Sequence, residues 1–188
     1  ICKVVSEPEA LAALLPSLLR GLPTPRAREL GLPLGPYHAS YIALPKIPKH
    51  LQAAFLTAED SQFWTHNGFH VDGIRRALAH DLEVGAFARG ASTITQQLAK
   101  NLFLTHDRTI ARKLSETVLT WRLHALLPKA RVLELYLNIL ELGPGIRGVA
   151  QATHTYFGKP AALLQPIESA HLASLAPNPR GFARRFRE

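Results

Sequence analysis

The chain contains no methionine and a single cysteine, Cys2. No intrachain disulfide can therefore form, and thiol content says nothing about an oxidising or reducing compartment. With Ile1 first and no methionine anywhere, the expectation is a domain excised from a longer protein whose translation start lies upstream. Long apolar runs are also missing. The longest early one, residues 10–19, is interrupted by Pro16 and falls short of the roughly 20 residues that span a bilayer. Acids rather than a basic run precede it, which argues against a signal peptide, so any membrane anchor is expected outside this segment. Extended alternating β-branched segments and repeats of solenoid length are absent, which excludes sandwiches and solenoids. There is no finger or RNP-like motif either.

What is present is enough for one domain with a real core: 188 residues, 47% of them apolar. The formal charge of +8 predicts a surface that attracts phosphate, whether in nucleic acid, lipid head groups or a pyrophosphate substrate. Prolines and glycines recur through residues 21–48 and forbid a long helix there. Beyond Pro48 the spacing becomes helical, first at Leu51, Ala54, Phe55 and Ala58, then around Ile74, Leu78 and Leu82. The clearest helix is predicted from about Thr109 to Leu127, where Pro128 ends it. Its apolar stripe is Ile110, Leu114, Val118 and Trp121, with Arg112, Lys113, Glu116 and Thr120 away from that stripe. Another carries Val132, Leu133, Leu135, Tyr136, Ile139 and Leu140; Gly143-Pro144-Gly145 stops it, and a further helix begins near Gly148. The predicted fold is mainly α.

Three constellations combine residue types that could do chemistry. Glu59-Asp60, with Phe63, His66 and Gly68, puts two acids at the end of an apolar helix before a glycine turn. They are either a solvated helix end, or a cleft in which one carboxylate serves as general base. Gly90-Ala91-Ser92-Thr93-Ile94-Thr95-Gln96-Gln97, followed by Lys100, reads as a hydroxyl-rich helix start. Thr93 and Gln96 have capping-box spacing, Ser92 is an alternative cap, and such a start can also receive an anion or a sugar. Arg108, Arg112 and Glu116 lie on one helical stripe beside Lys113. They form either weak surface ion pairs or a phosphate clamp that Lys100 would join. His66 and His70 have the spacing of two helical metal ligands, but Gly68 between them argues against it and no third ligand is near.

In this order, these segments resemble glycosyltransferase family 51, the peptidoglycan glycosyltransferases shared by monofunctional transglycosylases and class A penicillin-binding proteins. Leu133-Glu134-Leu135-Tyr136-Leu137-Asn138 resembles a fourth family motif. Tyr156-Phe157-Gly158-Lys159 with Glu168, Ala170, Leu172 and Ala173 resembles the closing one. The resemblance covers residues 44–182, leaving 1–43 as an irregular arm or linker and 183–188 as a basic tail. Gly143-Pro144-Gly145-Ile146 and Ala176-Pro177-Asn178-Pro179 look closer to the monofunctional branch. Trp64, His70 and Ala91 depart from the pattern, which commonly has a smaller aromatic or proline, an aspartate and a glycine there.

The resemblance implies a lysozyme-like helical domain that polymerises lipid II with inversion, forming a β-1,4 bond and releasing polyprenyl pyrophosphate. It implies Glu59 as the base and Glu116 as a second catalytic carboxylate that orients cations or sugar. Ser92, Thr95, Gln96, Gln97, Lys100, Arg108, Arg112 and Lys113 become the substrate-binding set. No cofactor is required, with room for a divalent ion such as Mg2+. The implied partners are lipid II, the lipid-linked glycan strand, the membrane surface and cell-wall synthesis proteins, without nucleic acid. The implied place is the extracytoplasmic, periplasmic face of the bacterial cytoplasmic membrane. Residues 75–90 are expected to form a mobile flap, and Arg180, Arg184, Arg185 and Arg187 either meet anionic lipid or form a solvated tail. The rival readings are a lysozyme-like glycan-cleaving enzyme, a silent interaction domain and a basic nucleic-acid-binding module.

Overall fold

A computed structural model describes residues 31–70, 73, 92–104, 109–179 and 181. The expected helix around Ile74, the flap, Arg108 and the C-terminal arginines lie outside the described residues. Within them the fold is mainly α, as read from the sequence. Helices run Lys49–Glu59 (α1), Ile94–Phe103 (α2), Ile110–Leu126 (α3), Lys129–Ile139 (α4), Gly148–Phe157 (α5) and Pro166–Ser174 (α6). A small hairpin, Glu141–Gly143 (β1) with Ile146–Arg147 (β2), joins α4 to α5.

Helix α4 is the hub. Val132, Leu133, Leu135, Tyr136, Leu137, Asn138 and Ile139 are all buried, the pattern of a helix enclosed on every side rather than lying on a surface. It packs against α2, α3 and α5, while α1 packs on α6 and α2 on α3. Leu51 and Phe55 of α1, Leu98 and Leu102 of α2, and Leu32 and Leu34 from the irregular stretch before α1 share the same core.

That irregular stretch has few backbone partners of its own, and buried peptide groups need partners. The fourth motif supplies them. The Asn138 carboxamide accepts from Ile42 N–H and donates to Ile42 C=O, both at 2.8 Å, pairing with the segment as a neighbouring strand would. Glu134 accepts from Leu44 N–H at 2.6 Å and is held by Arg131, whose guanidinium also donates to Leu34 C=O at 2.7 Å. Asn138→Ala orphans both peptide groups of Ile42 and is expected to destabilise the fold by about 2–4 kcal/mol. Urea unfolding followed by circular dichroism reads this directly, and an unchanged midpoint would mean the clamp carries no stability.

At the exit of α4 the chain turns back on itself. Gly148, at φ +73°, donates its N–H to Leu140 C=O at 2.8 Å. A Cβ placed there would stand 2.1 Å from the Asn138 carbonyl oxygen.

Helix α3 starts where expected, capped by the Thr109 side chain, and ends before Pro128. Its orientation departs from the amphipathic rule. Of the apolar stripe, Leu114, Val118 and Trp121 face water, exposed by 64%, 57% and 60%, whereas Glu116 and Thr120 on the polar side are buried. Leu123 and Leu127, near its C-terminal end, anchor it in the core.

Candidate active site

Helix α1 ends at Glu59 because Asp60 leaves helical geometry, at φ −162° and ψ 72°. The following turn is built on Asp60. One of its carboxylate oxygens accepts from Ile94 N–H at 2.9 Å, covering an otherwise unpaired donor at the start of α2. Both oxygens lie 2.9 Å from His66 Nε2. Since His66 Nδ1 accepts from Gly68 N–H at 3.1 Å, the ring proton sits on Nε2 and faces Asp60. Lys129 stands over the Phe63 ring at 4.4 Å. Burial lowers the pKa of its ammonium, an effect opposed by the Asp60 charge. The His124 imidazole is also pushed down, first by burial and then by the neighbouring Lys129 and His66.

Thr93, not Ser92, caps α2. Its hydroxyl oxygen accepts from Gln96 N–H at 3.2 Å, and its own N–H donates to Gln96 Oε1 at 2.9 Å, completing the capping box. The Thr93 hydroxyl donates to Gly68 C=O at 2.7 Å and so fastens the second motif to the first. Gly68, at φ +88°, lies against α3, where a Cβ would come within 3.2 Å of His124. The first and second motifs, distant in sequence, thus meet against α3.

The two glutamates have different surroundings. Glu59 Oε2 accepts from Gln97 Nε2 at 2.7 Å, while Glu59 Oε1 is buried without a partner. Its residue lines a cleft of about 160 Å³, walled also by Thr57, Ser61, His70, Ser92 and Thr93. His70 Nε2 is a second buried polar atom with no partner on that wall. Glu116, only 3% exposed, has both oxygens occupied, by Arg112 Nη1 at 2.8 Å and Lys113 Nζ at 2.5 Å. The carboxylate that Arg112 and Lys113 share is therefore inside rather than on the surface.

The substrate-binding set divides. Ser92 is exposed on the cleft wall, and Lys100 is half-buried in the last turn of α2. Arg112 faces inward and Lys113 is half-exposed. Thr95 is fully buried with its hydroxyl unpartnered, and Gln96 belongs to the cap. Gln97 holds Glu59. Arg108 lies outside the described residues. Sequence reasoning missed Asp60 and His66 as the link between motifs, and Tyr136, whose hydroxyl reaches Gln97 Oε1 at 3.4 Å. Only their recurrence in motif positions hinted at such roles. His66 and His70 stack at 6.5 Å between ring centroids, and among the described residues no three His, Cys, Asp or Glu side chains gather to hold a metal ion.

Residues 31–187 match a family model described as Transglycosylase. The chain is similar to the biosynthetic peptidoglycan transglycosylase of Azoarcus sp. (strain BH72), with 46% identity over 147 residues, covering 78% of this chain and 64% of the relative. The protein of the same description from Nitrosomonas eutropha is 47% identical over 135 residues, 72% of this chain and 55% of the relative. That from Aeromonas hydrophila is 47% identical over 139 residues, 74% of this chain and 59% of the relative. The chain thus spans about 60% of the length of the curated relatives it matches.

Proposed function

Because this chain belongs to the transglycosylase family, we propose that it polymerises lipid II into peptidoglycan glycan strands at the extracytoplasmic face of the bacterial cytoplasmic membrane. The donor is the growing strand on polyprenyl pyrophosphate and the acceptor is lipid II. Attack by the acceptor 4-hydroxyl inverts the donor's anomeric carbon and forms a β-1,4 bond. The C–O bond to pyrophosphate breaks as the new bond forms, and the hydroxyl proton passes to Glu59.

The observation that supports this reading best is the unequal state of the two glutamates. Glu59 offers an unpartnered, buried oxygen beside a polar cleft, as a base acting on a sugar hydroxyl requires. Glu116 has no free oxygen with which to attack carbon or activate water, because Arg112 and Lys113 occupy both. This disfavours a retaining hydrolase, in which the second carboxylate is a nucleophile about 5 Å from the first. It suits a pyrophosphate leaving group, which needs fixed positive charge more than a proton. Arg112 and Lys113, oriented by Glu116 and joined by Lys100 and Arg108, supply that charge. Ser92 meets the sugar at the cleft wall. Gln96 and Thr95 act by shaping the start of α2.

No cofactor is needed for these steps, and a divalent ion such as Mg2+ would act on the pyrophosphate. No described helix is long and apolar enough to cross a membrane. Cell-wall synthesis proteins are the proposed partners.

The test is incubation with labelled lipid II in liposomes, alongside isolated cell walls. Extension of lipid II into muramidase-sensitive polymer with no release of wall fragments supports the reading, and the reverse pattern makes the chain a hydrolase. Glu116→Ala frees Arg112 and Lys113 from their shared anchor and is expected to slow polymerisation about 10²-fold. An unaltered rate in the same assay would remove the orienting role.

A further inference from the structure

We propose that Tyr136 is a positioning residue for the base, acting through Gln97; the inference rests on the reading of Glu59 given above. Glu59, an acceptor-only carboxylate, selects the donor end of the Gln97 carboxamide but leaves its acceptor end unanchored. The Tyr136 hydroxyl anchors that end. It lies 3.4 Å from Gln97 Oε1, and Gln97 Nε2 lies 2.7 Å from Glu59 Oε2. With the phenol O–H donating to the amide oxygen, the amide N–H is directed at the carboxylate, and the reversed amide would set two acceptors against each other.

The phenol is suited to donate at every pH where the enzyme works. It is completely buried, and burial first, then the charges of Glu59 and Asp60, hold its pKa well above the ordinary phenolic range. The result is one defined carboxylate geometry, in which Oε2 is fixed by the relay and Oε1 is left for the acceptor hydroxyl. This gives the fourth motif two roles. Glu134 and Asn138, one helical turn apart, clamp the segment before α1, while Tyr136 between them reaches the base from another face of α4.

Tyr136 is also a core side chain, so the test must separate support of the fold from the relay. Tyr136→Phe keeps the ring and removes only the hydroxyl. Together with Gln97→Leu and the double variant it forms a cycle, read by lipid II polymerisation and by nitrogen-15 NMR of the Gln97 side-chain amide, assigned through its loss in Gln97→Leu. Tyr136→Phe is expected to lower kcat about fivefold with KM changed by less than about twofold. The Gln97 amide resonance should shift in Tyr136→Phe, because the carboxamide loses the donor at its oxygen. In the Gln97→Leu background the same change should add nothing to the loss of rate. An unmoved Gln97 resonance in Tyr136→Phe, or independent effects that multiply in the double variant, overturns the relay. Failure of the unmodified chain to polymerise lipid II removes the function proposed above instead, and the Gln97 resonance still decides the relay.

Discussion

Glu59→Gln is expected to lower glycan polymerisation about 10³-fold while leaving the fold intact and lipid-linked substrate still bound. The substitution is nearly isosteric, so the cleft keeps its shape, but it reverses the chemistry of one atom. In the native chain Gln97 donates to Oε2, and Oε1 is an acceptor with no partner. A glutamine at this position would turn its oxygen toward the Gln97 amide to preserve that bond. Its NH2 group would then occupy the place of Oε1, putting a donor where the acceptor hydroxyl must surrender a proton. General base catalysis by a positioned group contributes about 10²–10⁴-fold, and this variant forfeits it entirely. The measurement is the initial rate of polymer formation from labelled lipid II, with melting by circular dichroism as a control on folding. Polymerisation at the unmodified rate would transfer the base to another residue.

Gly148→Ala is expected to be the most damaging single methyl in the described structure, destabilising it by about 3–5 kcal/mol. Two separate penalties meet at this position. The backbone is left-handed, at φ +73°, which costs a residue with a Cβ about 1–2 kcal/mol. The added carbon would also stand 2.1 Å from the Asn138 carbonyl oxygen and 2.7 Å from its carbon, atoms of a helix end rather than the tip of a flexible side chain. Gly145 separates the two effects, since it has nearly the same φ, +74°, with nothing within 4 Å of a Cβ. Gly145→Ala should therefore lose only the conformational part. Urea unfolding of both variants gives the comparison, and equal losses would show that the approach to Asn138 is relieved by a small movement. Domains of this size are stable by about 5–15 kcal/mol, so Gly148→Ala removes a large share and is expected to reduce yield of folded protein as well.

Much of the helical framework was legible because its signals are local. The start near Thr109, Pro128 as a stop, and the Thr93–Gln96 capping box lie within a few residues of the structure they specify. The glycine-proline turn before α5 was equally plain. The hairpin flanking that turn was not, since strands of three and two residues leave no alternation to detect. The orientation of α3 was misleading for a physical reason. Amphipathic reasoning assumes that the polar side of a helix meets water, but here that side is turned inward, with Glu116 and Thr120 buried and Thr120 against the turn at Gly68, leaving the apolar side exposed. The clamp formed by Glu134 and Asn138 escaped because their backbone partners lie 90 and 96 residues away, and no sequence window spans that distance. Glu59 and Glu116 could be singled out by motif, but that one would keep a free oxygen and the other would not is a property of packing.

The placement of the two tryptophans has a practical consequence for spectroscopy. Trp64 and Trp121 are 54% and 60% exposed, so both indoles already sit in water in the native state. Intrinsic emission should therefore change little on unfolding, and a fluorescence melt would make a stable fold look non-cooperative. The same placement makes Trp121, with the Arg122 guanidinium 5.9 Å from its ring, a sensitive reporter of whatever touches the outer side of α3. A blue shift on adding detergent or lipid, lost in Trp121→Phe and retained in Trp64→Phe, would map that contact without any attached dye.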